Sequence, residues 1–117
     1  MALSSGPAIE GELDPTVSYR LIFDREEWNH ALLTLPTRHI LQCWEWGEVK
    51  QAHGWVPARL LWEQSGAPVA AAQVLRRPLP HTSWSVMYVP KGPALDYAHV
   101  PRLESVLADL ESYARRL

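Results

Sequence analysis

Apolar and polar positions change period several times along this chain, and each change marks an element. Val17 to Phe23 alternates as a half-buried strand does, and Asp24 then offers a carboxylate to cap a helix whose first turn holds Glu26 and Glu27. Trp28, Leu32 and Leu35 recur at helical spacing until Pro36, which lacks a backbone donor, ends the run. A second helix is predicted from Cys43 to about His53, with Gly54 at the C′ position that a left-handed residue favours. Its Trp46, Val49, Lys50 and His53 share one face.

Strands follow. Trp55 to Glu63 alternates, Gln64-Ser65-Gly66-Ala67 reads as a hairpin turn, and Val69 to Leu75 returns apolar on both faces, as a central strand covered by helices on each side does. Gln73 is its one polar member. Pro78-Leu79-Pro80-His81 interrupts the pattern, Trp84 to Val89 resumes it as a third antiparallel strand, and Pro90-Lys91-Gly92-Pro93 forces another turn. Pro101 suits the first turn of a last helix whose Leu103, Val106, Leu107, Leu110, Ala114 and Leu117 trace one stripe. Strand, helix, helix, three-strand antiparallel meander and helix make an α/β (α+β) unit over residues 16–117, in an order that awaits a further strand. Residues 1–15 are small, acidic and rich in Pro and Gly, and are expected to form a disordered arm.

Composition narrows the function classes. At 117 residues and 47% hydrophobic the chain supports one small core. A formal net charge of −2 supplies no global basic field, so any RNA contact must be local. Met1 to Leu13 lacks the basic start and apolar run of a secretory signal, and no stretch nears about 18 apolar residues, which points to a cytoplasmic protein and leaves peripheral membrane contact open. Cys43 is the sole cysteine, and the five histidines show neither the spacing of metal ligands nor a partner for a cysteine nucleophile. Neither a metal nor a cofactor is expected.

Two strings carry the chemistry. One is Leu41-Gln42-Cys43-Trp44-Glu45-Trp46-Gly47-Glu48-Val49-Lys50, followed by Gly54-Trp55; the other is Tyr88-Val89-Pro90-Lys91-Gly92-Pro93-Ala94-Leu95-Asp96, with Ala70-Ala71-Ala72-Gln73 between them. Together they resemble the Fem family of peptidoglycan bridge-forming aminoacyltransferases, with its Gln-x-Trp-x-Trp-Gly-x-x-Lys helix and Tyr-x-Pro-[Arg/Lys]-Gly-Pro-x-x-Asp strand exit. The resemblance spans roughly residues 18 to 117.

It implies a GNAT-like lobe, here the N-terminal portion of the first of two, with the missing C-terminal half as its partner. It also implies a nucleotide- or lipid-linked peptidoglycan precursor as acceptor and aminoacyl-tRNA as donor. The implied reaction is attack of a peptide amine on the ester of aminoacyl-tRNA, which needs positioning and electrostatic help and no covalent enzyme intermediate. Lys50 resembles the family's phosphate anchor, and Asp96 the aspartate beside the acceptor amine, the one catalytic candidate. Trp46, Tyr88, Lys91 and Gly92 complete the expected substrate-binding set.

Each residue has a plainer reading as well. Lys50 fits a solvated helix face, Asp96 the dipole of the last helix, Trp44 or Trp46 the core, and Lys91-Gly92-Pro93 a simple strand exit. Arg76 and Arg77, with Lys50 and Lys91, make either a local basic rim or an ordinary solvated face. Two other functions compete. A CoA-dependent N-acyltransferase shares the element order, but its pyrophosphate cradle needs backbone amides where Pro90 and Pro93 stand. A non-catalytic interaction module, self-associating through an open sheet edge, is the other.

Overall fold

The computed structural model describes residues 17–116; the expected arm at residues 1–15 and Leu117 lie outside them. Its elements are β1 (Ser18–Leu21), α1 (Arg25–Leu33), a 3-10 turn (Ile40–Gln42), α2 (Trp44–Gln51), β2 (Val56–Gln64), β3 (Ala67–Pro78), β4 (Ser85–Tyr88), β5 (Ala94–Leu95) and α3 (Val100–Arg115). The predicted order holds, with two additions, the 3-10 turn and β5.

Local chemistry explains most boundaries. Asp24 caps α1, its carboxylate accepting from the Glu27 amide at 2.8 Å. Ser65 and Gly66 both have positive φ, 54° and 81°, the two-residue turn whose twist matches an antiparallel hairpin. Gly54, at φ 93°, lies one position later than expected, since α2 caps at Ala52. Cys43 makes no side-chain cap on α2; the Asn29 carboxamide of α1 reaches across and accepts from the Trp44 amide at 2.9 Å. A helix start capped by a residue 15 positions away is invisible to local pattern.

All pairings are antiparallel. β1 lies beside β2 (Ser18 opposite Glu63), β2 beside β3 from Val56–Arg76 to Gln64–Ala67 with a register shift at Trp62/Glu63, and β4 beside the far end of β3, with Leu75 opposite Tyr88. β5 returns to β3 at Ala70 and Ala71. Since β2 occupies the other edge there, β4 and β5 share one edge of β3. From Tyr88 to Ala94 the chain takes six steps where β3, from Leu75 to Ala71, takes four. The extra length bulges out at Pro90–Pro93, where Gly92–Pro93 is cis.

β3 is covered on both faces, as its apolar run predicts. On one face Ile22, Trp28, Ala31, Leu32 and Leu35 pack on Leu61, Ala71 and Ala94. On the other Val106 and Leu110 of α3 pack on Leu60, Trp62, Ala70, Ala72, Val74 and Leu95. Trp62 also donates its indole N–H to Asp109 of α3 at 2.8 Å. The α3 stripe is narrower than predicted: Leu107 is 48% exposed and Tyr113 packs in the cluster instead. No described helix is long and apolar enough to cross a membrane.

Candidate functional site

The sequence strings meet through three buried polar side chains. Gln42, fully buried in the 3-10 turn, donates to the Pro90 carbonyl at 2.6 Å and accepts from the Gln73 amide at 2.8 Å. Gln73 in turn donates to the Cys43 carbonyl at 2.9 Å and accepts from Arg59 Nε at 2.8 Å. Arg59 donates to the Trp44 carbonyl at 3.0 Å, and its guanidinium lies 3.6 Å from the centre of the Trp44 ring. Burial pulls the Arg59 pKa below its ordinary value, yet the nearby carboxylates oppose that shift and the side chain stays a cation. Gly47 is needed where α2 crosses this network: a Cβ there would stand 2.5 Å from Gln73 Oε1. Trp28 closes the assembly by donating to the Gln42 carbonyl at 2.7 Å.

This network was not among the predicted site residues. Gln73 carried a signal, one polar side chain in an apolar strand, because a buried amide must find partners. Gln42 carried another, as the first residue of the Gln-x-Trp-x-Trp-Gly-x-x-Lys string, whereas Arg59, in an alternating strand, carried none. The network sets the relation between the start of α2 and the Pro90–Pro93 bulge, and so between Lys50 and the Lys91 to Asp96 segment.

The predicted residues fall into two groups. Lys50 Nζ stands 5.4 Å from the centre of the Trp46 ring and 5.9 Å from that of Trp55. Trp55 packs edge-on against Tyr88, centroids 5.1 Å apart, and the Arg77 guanidinium lies 4.7 Å from the Trp55 centre while donating to the His53 carbonyl. Thus Trp46, Lys50 and Tyr88 meet around Trp55, which was quoted in the motif but not named as a site residue. Two cations on aromatic faces, without a carboxylate ion pair among the described residues, suit an anion flanked by apolar surface.

Asp96 belongs elsewhere. β5 meets β3 at Ala70 and Tyr88 meets it at Leu75, five residues apart, or about 17 Å of strand at about 3.3 Å per residue. Asp96 is exposed, and its carboxylate accepts from the Ala98 amide at 3.0 Å. Its role at the α3 terminus is indirect, because His99 is the cap and accepts from the Arg102 amide. Lys91, exposed with φ 55°, and half-buried Gly92 occupy the bulge between the two groups. A separate groove of about 230 Å³, lined by Phe23, Val56, Arg76 and Tyr113 among others, includes none of the predicted site residues. Among the described residues no group of three or more His, Cys, Asp or Glu is placed to hold a metal ion.

The fold thus defined is an antiparallel sheet between helical layers, with a cation-and-tryptophan cluster at one end and an aspartate beyond a bulge. The family model of the FemAB family matches residues 24–116, and the chain belongs to that family. A lipid II:glycine glycyltransferase of Staphylococcus aureus is 26% identical over 80 residues, covering 68% of this chain and 19% of that protein; the glycyltransferase of strain COL matches to the same extent. The crystal structure of FemX superimposes with a TM-score of 0.74 at 22% identity, covering 85% of this chain and 24% of that one. The chain spans about a fifth of the length of the curated relatives it matches.

Proposed function

We propose that this chain is the acceptor-binding part of an aminoacyltransferase that moves an amino acid from aminoacyl-tRNA to the peptide of a peptidoglycan precursor. The observation that supports this most directly is the placing of the family's helix lysine, Lys50, over two indoles and beside Arg77 and Tyr88. An ammonium held on aromatic faces, with no ion-paired carboxylate among the described residues, is suited to the phosphates of a nucleotide- or lipid-linked acceptor.

Asp96 is the candidate to orient or deprotonate the attacking amine, and the Gln42–Gln73–Arg59 network keeps its segment in fixed relation to α2. The donor ester must come within about 3 to 3.5 Å of the amine. In this reading the partner surface that brings it belongs to the C-terminal part of the longer enzyme, which works in the cytoplasm as two GNAT-like lobes. The CoA-dependent alternative gains no support from the bulge: Pro90 and Pro93 have no N–H, and the Gly92 amide turns back to the Val89 carbonyl.

The test is to incubate the purified chain with soluble and lipid-linked precursor, with and without charged tRNA. Binding of precursor that weakens in Lys50→Ala, without amino-acid addition by mass spectrometry, is the expected outcome. Absence of precursor binding by a folded chain would overturn the reading, as would stabilisation by micromolar CoA.

A further inference from the structure

We infer that the β3–β4 hairpin is a membrane-surface contact, seated on an anionic lipid bilayer through Trp84. The hairpin tip is ordered and yet presents apolar side chains to water. The Leu79 amide donates to the Trp84 carbonyl at 2.9 Å, and the Thr82 hydroxyl both donates to the Leu79 carbonyl and accepts from the Trp84 amide, each at 3.1 Å. Held this way, Trp84 remains 74% exposed, Val86 46% and Leu79 38%. Strand alternation from the Arg77–Val86 pair puts Leu79, Trp84, Val86 and Tyr88 on one face with Arg77. A contiguous apolar surface on a rigid support marks a contact surface.

Charge selects the occupant. Residues 64–95 contain Arg76, Arg77 and Lys91 and no Asp or Glu, in a chain of net charge −2. None of the three cations is in an ion pair among the described residues, whereas Arg20, Arg25 and Arg115 all are. An indole at the tip with Arg77 set behind it on the same face, in a segment that carries cations and no carboxylate, fits the interface of an anionic bilayer, where the ring enters the headgroup boundary and the guanidinium meets lipid phosphates. A nucleic-acid surface would instead place its cations foremost to follow the phosphates. The tip is flanked by Pro78 and Pro80, which supply no amides to phosphate either.

The experiment is co-sedimentation with vesicles of phosphatidylglycerol and phosphatidylcholine in equal parts, against vesicles of phosphatidylcholine alone. No peptidoglycan precursor is included, so the result is independent of the proposed enzymatic reading. The protein is expected to partition onto the anionic vesicles and to release as salt is raised. Trp84→Ala and Leu79→Ser should each lower the partition coefficient about fivefold or more, the scale of one interfacial anchor, while Trp84→Phe keeps most of it. Circular dichroism checks that the variants fold, which the exposure of Trp84 favours. Equal partition of wild type and Trp84→Ala would overturn the inference, as would no preference for anionic vesicles. Loss of tRNA binding in Trp84→Ala with vesicle binding unchanged would also overturn it, assigning the face to nucleic acid.

Discussion

Gly92 lies so close to Gln42 that a Cβ added to it would stand 2.8 Å from both the Cδ and the Oε1 of that carboxamide. The Gln42 amide is buried and holds the Pro90 carbonyl and the Gln73 amide, so it has little room to give. Gly92→Ala is therefore expected to cost about 1 to 3 kcal/mol by overpacking, read as a lower urea midpoint at unchanged slope. In a Gln42→Ala background the added methyl should cost much less, because the carboxamide it strikes is gone. Equal costs in both backgrounds would show that the two residues are not coupled.

Arg59 supports the same network from below. Arg59→Leu removes a buried cation, strands Gln73 Oε1 and takes a second donor from the Trp44 carbonyl, and the expected loss is about 2 to 5 kcal/mol. Arg59→Lys should recover only part of that, since an ammonium lacks the planar fork that reaches both acceptors while stacking on Trp44. Chemical denaturation of the two variants compares them directly, and a fully stable Lys variant would refute the geometric requirement.

Lys50→Ala should weaken binding of a diphosphate-bearing acceptor by about 1.5 to 3 kcal/mol, the value of a hydrogen bond to a charged group. Trp55→Leu should weaken it too, although no charge is removed, because both Lys50 and Arg77 lose the ring beneath them. Isothermal titration with soluble precursor measures both. Unchanged affinity in both variants would return Lys50 to the solvated face of α2.

If the chain acts within the proposed two-lobe transferase, Asp96→Asn there should lower the transfer rate about a hundredfold or more, as loss of a general base does, with acceptor affinity little changed. The Asn carbonyl can still accept from the Ala98 amide, so the local turn survives. A rate within a few-fold of wild type would leave Asp96 with only its turn.

The Arg20–Glu63 and Arg20–Glu27 pairs tie β1 to β2 and α1. The hydrogen bond from Arg20 lowers the Glu63 pKa below the ordinary carboxylate value. A depressed folded-state value means stability that is present above the unfolded carboxylate pKa, about 4.3, and is lost as pH falls through the folded one. The pair is partly exposed and screened by solvent, so the loss should be no more than about 1 kcal/mol. Glu63→Gln should flatten that part of the stability–pH curve; an unchanged curve would mean the pair contributes nothing.

Much of the fold was legible in local chemistry. Asp24, the Ser65-Gly66 turn and Pro36 act within a few residues of themselves, so their consequences can be read from order alone. The two-sided apolar run from Val69 to Leu75 likewise required helices on both faces. Other features needed the tertiary structure. β5 is two residues long and follows a proline, so nothing local distinguishes it from loop; it is a strand because β3 offers a free edge at Ala70 and Ala71. The start of α2 is capped by Asn29 from another helix. The motif strings named Lys50, Tyr88 and Asp96, but only packing gathered the first two around Trp55 and held Asp96 some five strand residues away. The joining residues, Gln42, Gln73 and Arg59, hydrogen-bond across 14 to 48 positions of sequence. A buried polar group must be satisfied, yet which partner satisfies it depends on where the folded chain brings a carbonyl or amide, and order along the chain does not contain that distance.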